Sequence, residues 1–321
     1  MCRGCSEPLQ RAIVDFAADA AGTRIAQKLK EHYGIELSTS TCWPMVLRHA
    51  EAIDGSPKVA AQIPERDGVG HLISEIDGSM IPVVETAAPD GNSPKVDRRK
   101  TRRVCWKEAR LSLVHEPGSV TPVFGATRGT AEESGQEMLR AAVQAGLGRK
   151  TKIHAVGDGA TWIADQVSLQ FGLQADFLVD FYPVCDYLAA AGDTIAGADQ
   201  RAWMQTQKDR LKQNGVPDVI AELQPFLEDD TVADANAPVR AAHRYLTNRP
   251  GPFNYQGALQ AGLPIGSGEI ESAHRYVIQS RLKLAGAWWK MKNAKSMLAR
   301  RICRANGAWD NYWRSRHQQA A

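Results

Sequence analysis

Leu263-Pro264-Ile265-Gly266-Ser267-Gly268-Glu269-Ile270-Glu271-Ser272-Ala273-His274-Arg275 reads as a tight glycine turn that feeds straight into a helix. At about 100° per residue, Glu271 falls on the stripe of Ile278 and Leu282. Glu269 lies about 200° away, nearer Ser272, Tyr276, Ser280 and Lys283. The phase predicts a solvated Glu269 and an inward Glu271. A carboxylate on a buried stripe needs a partner or a metal. Taken alone, the run favours a plainer account, an i,i+4 ion pair of Glu271 with Arg275.

The rest of the chain is long enough, at 321 residues, for two or three domains. Its 43% hydrophobic and 23% charged content is that of an ordinary globular protein. There is no apolar run of membrane-spanning length and no signal-peptide core, so a cytoplasmic protein is expected. Six scattered cysteines do not make a disulfide framework. Cys2 and Cys5 form half of a zinc pattern with no second pair, which favours free thiols or the remnant of a longer module.

Net charge is only +3, but the bases are clustered. One run holds Arg98, Arg99, Lys100, Arg102 and Arg103; the last fifty residues hold Arg275, Arg281, Lys283, Lys290, Arg300, Arg301 and others. Such clusters either bind phosphate backbone or are solvated surface.

Residues 8 to 53 carry helical spacing, with Gly34 as a break and Ser38 to Thr41 as caps. Helix, glycine turn, helix is the outline of a helix-turn-helix reader, or of a structural bundle. A linker spans 54 to 70. His71 to Glu85 then reads as a strand pair or one strand interrupted at Asp77-Gly78. Further strands are expected at Val104 to His115 and Pro122 to Ala126. A helix, a strand ending at Gly157-Asp158-Gly159, another helix and an apolar strand from Ala175 to Phe181 complete the series. That order predicts a mixed sheet with helices packed on it. From Val184 to about Leu246 the chain reads as a polar helical insertion, and Leu284 to His317 as a helical tail.

Three acids stand out. Asp77 sits in a β pattern, Asp158 ends a second strand, and Glu271 lies on the late helix. Either Asp alone is an ordinary turn residue. Together they can converge over one sheet edge, where a Mg²⁺ pair would neutralise their repulsion and support in-line phosphoryl transfer.

Ile76-Asp77-Gly78-Ser79, Val156-Gly157-Asp158-Gly159-Ala160 and Pro264-Ile265-Gly266-Ser267-Gly268-x-x-Glu271 resemble the three acidic motifs of DDE transposases of bacterial insertion sequences, most nearly the ISKra type. Leu282-x-x-Ala285-Gly286-Ala287-Trp288-Trp289 resembles the segment after the catalytic Glu in that family. The resemblance implies an α/β, RNase H-like mixed sheet with flanking helices, an all-helical insertion and an N-terminal helix-turn-helix-like bundle. It implies catalytic and metal-binding roles for Asp77, Asp158 and Glu271, with Mg²⁺ as cofactor and Mn²⁺ as a substitute. The partners expected are double-stranded DNA, at element ends and target, and further copies on DNA. On this reading residues 1–60 form the DNA-binding bundle and 66–183 the first part of the core. Residues 184–250 form the insertion, 251–285 the returning core with the Glu helix, and 286–321 a basic tail.

DNA contacts are expected from Ser40, Thr41 and Arg48 on the third helix, from Arg98, Arg99, Lys100, Arg102 and Arg103, and from Arg275, Arg281 and Lys283. Trp288 and Trp289, beside Lys290, could stack on a flipped base, or one of them could be a core residue. The family commonly has a His after its fifth strand where this chain has Pro183, in Asp180-Phe181-Tyr182-Pro183. Besides a transposase, a catalytically impaired DNA-binding relic and an RNase H-like nuclease that cuts without joining remain open.

Overall fold

Three helices lead the chain: α1 (Glu7–Asp19), α2 (Gly22–Tyr33) and α3 (Thr39–Asp54). Gly34, left-handed at φ 65°, ends α2, and Ser38 starts α3 by accepting from the Thr41 N–H at 3.2 Å. This is the helix-turn-helix-like bundle. The computed structural model describes residues 4–86, 101–249 and 253–320; Cys2, Arg98, Arg99 and Lys100 lie outside them.

The sheet is built from β1 (His71–Thr86), β2 (Arg102–His115), β3 (Val123–Thr127), β4 (Lys152–Gly157) and β5 (Ala175–Val179). Its order is β3-β2-β1-β4-β5. The first three strands form an antiparallel meander, while β4 and β5 run parallel to β1. α4 (Ala131–Gln144) and α5 (Thr161–Phe171) supply the crossovers that parallel strands require. The fold is α/β, an RNase H-like mixed sheet with flanking helices.

Two local expectations are corrected. β1 is not interrupted at Asp77-Gly78: Asp77 pairs with Leu111 and Gly78 with Arg110 inside one continuous ladder. Unbroken pairing with β2 outweighs the turn preference of the Asp-Gly pair. β5 stops at Val179 rather than Phe181, because Asp180 turns the chain by accepting from the Tyr182 N–H at 2.8 Å and so starts the next helix.

That helix, α6 (Phe181–Ile195), opens the helical insertion. Next come α7 (Gln200–Lys212), α8 (Val216–Leu223), α9 (Pro238–Thr247) and α10 (Tyr255–Gln260). Their apolar faces (Val184, Leu188, Leu211, Val219, Tyr255) join one core with Leu72, Ile76 and Ile153 of the sheet and with α4 and α5.

The chain then returns as α11 (Gly268–Ala273), a π-helical turn (His274–Gln279) and α12 (Ser280–Leu282). Residues 284–290 are not helical. Trp289 instead forms a parallel bridge with Val83 along the free edge of β1, where the Val84 N–H donates to the Trp289 carbonyl at 2.7 Å. α13 (Met291–Ala305) and α14 (Trp309–Ala320) end the chain. A second core joins Ile81, Val83, Leu111 and Leu113 of the opposite sheet face to Ile270, Val277, Leu282, Trp289 and Met297. It also takes in Ile13, Ile25, Leu29 and Met45 of the N-terminal helices.

Candidate active site

The glycine turn is docked on the sheet by hydrogen bonds at each step. His154 Nε2 on β4 lies 2.7 Å from the Pro264 carbonyl, and the Phe181 N–H donates to the Ile265 carbonyl at 2.9 Å. The Asp180 carboxylate accepts from the Ser267 N–H at 2.8 Å and from the Ser267 hydroxyl. A Cβ on Gly266 would stand 2.5 Å from the Tyr182 ring, so the turn can approach this closely only with glycine there. Glu75 on β1 accepts from the Ile270 N–H at 2.8 Å. Two buried acids, Asp180 and Glu75, thus hold the start of α11 against the sheet.

Glu75 is almost without solvent contact. Burial pushes its pKa up to about 8, against the opposing Ile270 N–H, with the Glu269 and Asp180 charges adding to the rise. Sequence reasoning missed both anchors. Their signals were present: a charged residue inside the apolar run Leu72-Ile73-Ser74-Glu75-Ile76, and an Asp directly between an apolar strand and a helix.

Asp77 and Asp158 follow the paired part of β1 and β4 at the same count. The last paired couple of β1 and β4 is Glu75 with Val156. Asp77 and Asp158 each lie two residues further on, Asp77 still within β1 and Asp158 just past the end of β4. Asp77 is partly exposed, with Oδ1 accepting from the Gly78 N–H at 2.6 Å and Oδ2 lying 3.4 Å from His274 Nε2. Asp158 is exposed, and its Oδ1 accepts from the Ala160 N–H at 2.9 Å. Its backbone carbonyl accepts from the Tyr245 hydroxyl at 2.6 Å, a tie from the insertion.

The expected orientation of Glu271 is corrected. Its side chain is 73% exposed and pairs with Arg275 at 3.0 Å, the plainer account of the turn. Glu269 also faces outward, with its carboxylate 3.1 Å from Nε2 of the buried His115. The inward stripe is Ile270, Ala273, His274, Val277, Ile278 and Leu282. The π turn explains the error. Its i→i+5 bonding puts more residues in each turn, so a phase carried back from Ile278 and Leu282 at 100° per residue overshoots at Glu271. His274, buried next to Asp77, was not singled out.

Asp77 and Asp158 offer the hard oxygen donors that Mg²⁺ prefers. The third acid does not join them: among the described residues no three His, Cys, Asp or Glu side chains come together closely enough to hold a metal ion. The residues as placed do not form a finished metal site, and the Glu271 carboxylate pairs with Arg275.

The expected DNA contacts divide by burial. Ser40, Thr41 and Arg48 lie exposed on α3, and Arg102, Arg103 and Lys290 are exposed as well; Lys283 is half-buried. Arg275 is taken by Glu271. Trp288 is exposed and Trp289 is core. Arg281 is corrected: it is buried, stacks on Trp289 at 4.6 Å, and donates from Nε to the Ala17 carbonyl at 3.1 Å.

Arg300, fully buried, bonds the Val14 and Ala17 carbonyls, and Arg301 bonds Ala18 and Asp19. α1 has no base in its last turn, so these guanidinium groups reach its terminal Ala17 and Ala18 carbonyls and complement its dipole. Other tail bases meet acids of the bundle: Lys292 with Glu51, Lys295 with Asp54 and Arg304 with Asp15.

No protein-family model matches the chain, and no curated protein does. Among solved structures, the Drosophila P element transposase strand transfer complex is similar at a TM-score of 0.32 and 10% identity, over 97% of this chain and 81% of that one. A likeness of that size carries no argument. No helix among the described residues is long and apolar enough to cross a membrane.

Proposed function

We propose that the chain is a DDE transposase of the ISKra type, which cuts and joins phosphodiesters at the ends of a bacterial insertion sequence. The observation that carries this reading is the matched position of Asp77 and Asp158, two residues beyond the last paired couple of adjacent parallel strands. The helix bearing Glu271 is pinned over β1 by Glu75, which supports the same reading. Mg²⁺ is the proposed cation, with Mn²⁺ as substitute.

The reading requires Glu271 to leave Arg275. An exposed i,i+4 pair is worth only about 0.3–0.5 kcal/mol, far less than a carboxylate gains on a divalent ion. The proposed partners are double-stranded DNA and further copies of the chain, acting on DNA in the cytoplasm.

The test is a product assay: purified protein, duplex DNA carrying the sequences that flank its gene, and Mg²⁺ or Mn²⁺. Nicked ends that are then joined to a target duplex are expected. Cutting without joining would favour an RNase H-like nuclease instead. Binding without cutting would favour a DNA-binding relic, a reading to which the Glu271–Arg275 pair and Pro183 give weight.

A further inference from the structure

Among the described residues, the outer half of the β1–β2 ribbon has an uncovered face. Beyond Gly78 the two strands pair, among those residues, only with each other and, along the free edge of β1, with Trp289. Val83 and Trp289 share the inward face and are buried. Alternation therefore turns their neighbours outward: Trp288 and Lys290 on the edge segment, and Met80, Pro82 and Val84 on β1. On β2, Trp106 stands opposite Pro82, Val104 opposite Val84 and Arg102 opposite Thr86. The bridge register sets Trp288 on the other side of Pro82. Trp106 and Trp288 thus occupy one row, two strands and about 10 Å apart.

Both indoles are open to solvent, Trp106 at 58% and Trp288 at 57%, and Met80 and Val104 are exposed beside them. Two exposed tryptophans in register are costly to leave in water without use. The charges on this face favour an anionic occupant. Arg102 and Lys290 are exposed at its margin. The acid of the same face, Glu108, is neutralised by Arg110 at 2.5 Å, while Glu85 points to the opposite face, toward Lys107. Sheet-borne aromatics flanked by bases are the arrangement on which unpaired bases stack while phosphates meet cations. The row lies about 17 Å along β1 from Asp77, five residues on and on the opposite face of the ribbon.

We infer that this face binds single-stranded DNA, with one base on Trp106, another on Trp288, and Arg102 and Lys290 on the phosphates between and beyond them. The proposed activity enters only in choosing DNA as the ligand, so a failure to cut would leave the binding result standing. The experiment is titration of a twenty-nucleotide oligo-dT into the full chain, read by fluorescence anisotropy of labelled DNA at two salt concentrations. Trp106→Ala and Trp288→Ala should each weaken binding by about five- to a hundredfold. Trp106→Phe and Trp288→Phe should retain most of it, and Leu173→Ala, at a fully exposed apolar residue elsewhere, should change nothing. Arg102→Gln and Lys290→Gln should lower the salt dependence. Unchanged affinity in both Ala variants would overturn the inference, as would equal loss in the Phe variants. A wild-type dimer that the Ala variants split, with DNA binding intact, would also overturn it and mark the face as a protein interface.

Discussion

Glu75 shows how much of the site rests on a residue outside the acidic motifs. Its carboxyl is buried, pushed toward the neutral form, and spent on the Ile270 N–H. Because that form is largely uncharged near neutrality, Glu75→Gln should fold with stability close to wild type. Glu75→Ala leaves a buried N–H unpaired and a void beneath α11, at a cost of about 2–4 kcal/mol. Urea denaturation of the two variants checks this, and equal stability of both would remove Glu75 from its anchoring role. At this scale the sequence was legible where spacing is local: Gly266 and Asp158 sit where a turn and a strand end put them, whereas Asp77 lies inside a continuous strand. Glu271 was misjudged because its orientation depends on a π turn, and a 3.6-residue period cannot register the change of twist.

The π turn and the C-terminus of α1 are stabilised by the same short segment, Arg300-Arg301. Arg301 donates to the Val277 carbonyl at 3.0 Å and also reaches the Tyr276 carbonyl, both within the π turn. Arg300 holds the end of α1 from inside the core. Burial, and then the charges of Arg281 and Arg301, pull its pKa down, so the carbonyls it meets are what keep its charge tolerable there. Arg300→Leu should therefore cost about 1–3 kcal/mol despite being apolar for charged, since it removes two charge-assisted bonds and leaves the Ala17 carbonyl with Arg281 alone. Chemical denaturation checks it, and a more stable variant would contradict the assignment. Strands and helices were legible as elements because their periods are local. The use of the tail's bases was not, because Asp15, Asp19, Glu51 and Asp54 meet them only across the fold.

For the whole molecule, the two chain ends close on each other. His49 of α3 is buried, with Nδ1 2.7 Å from the Tyr312 hydroxyl of α14 and Nε2 3.1 Å from Gln10 Oε1 of α1. Burial first, then Arg316 and Arg48, lowers its pKa to about 4. In the unfolded chain it returns to an ordinary value near 6.5. The unfolded state therefore binds the extra proton between those values, and stability falls as pH drops from about 6.5, levelling off below about 4. The loss should reach about 3 kcal/mol and should shrink in His49→Gln; urea midpoints from pH 4 to 8 measure it. This closure sets the helical bundle against the sheet face that carries Asp77 and α11.

The central claim is that Asp77, Asp158 and Glu271 act together at that edge. Single-turnover cleavage of end-bearing DNA in Mg²⁺ by Asp77→Ala, Asp158→Ala and Glu271→Ala, with Glu269→Gln beside them, tests it most directly. Each of the three should lose at least about a thousandfold in rate while still binding DNA, and Glu269→Gln should stay within about tenfold of wild type. Wild-type cleavage in any of the three, or equal loss in Glu269→Gln, would contradict the account.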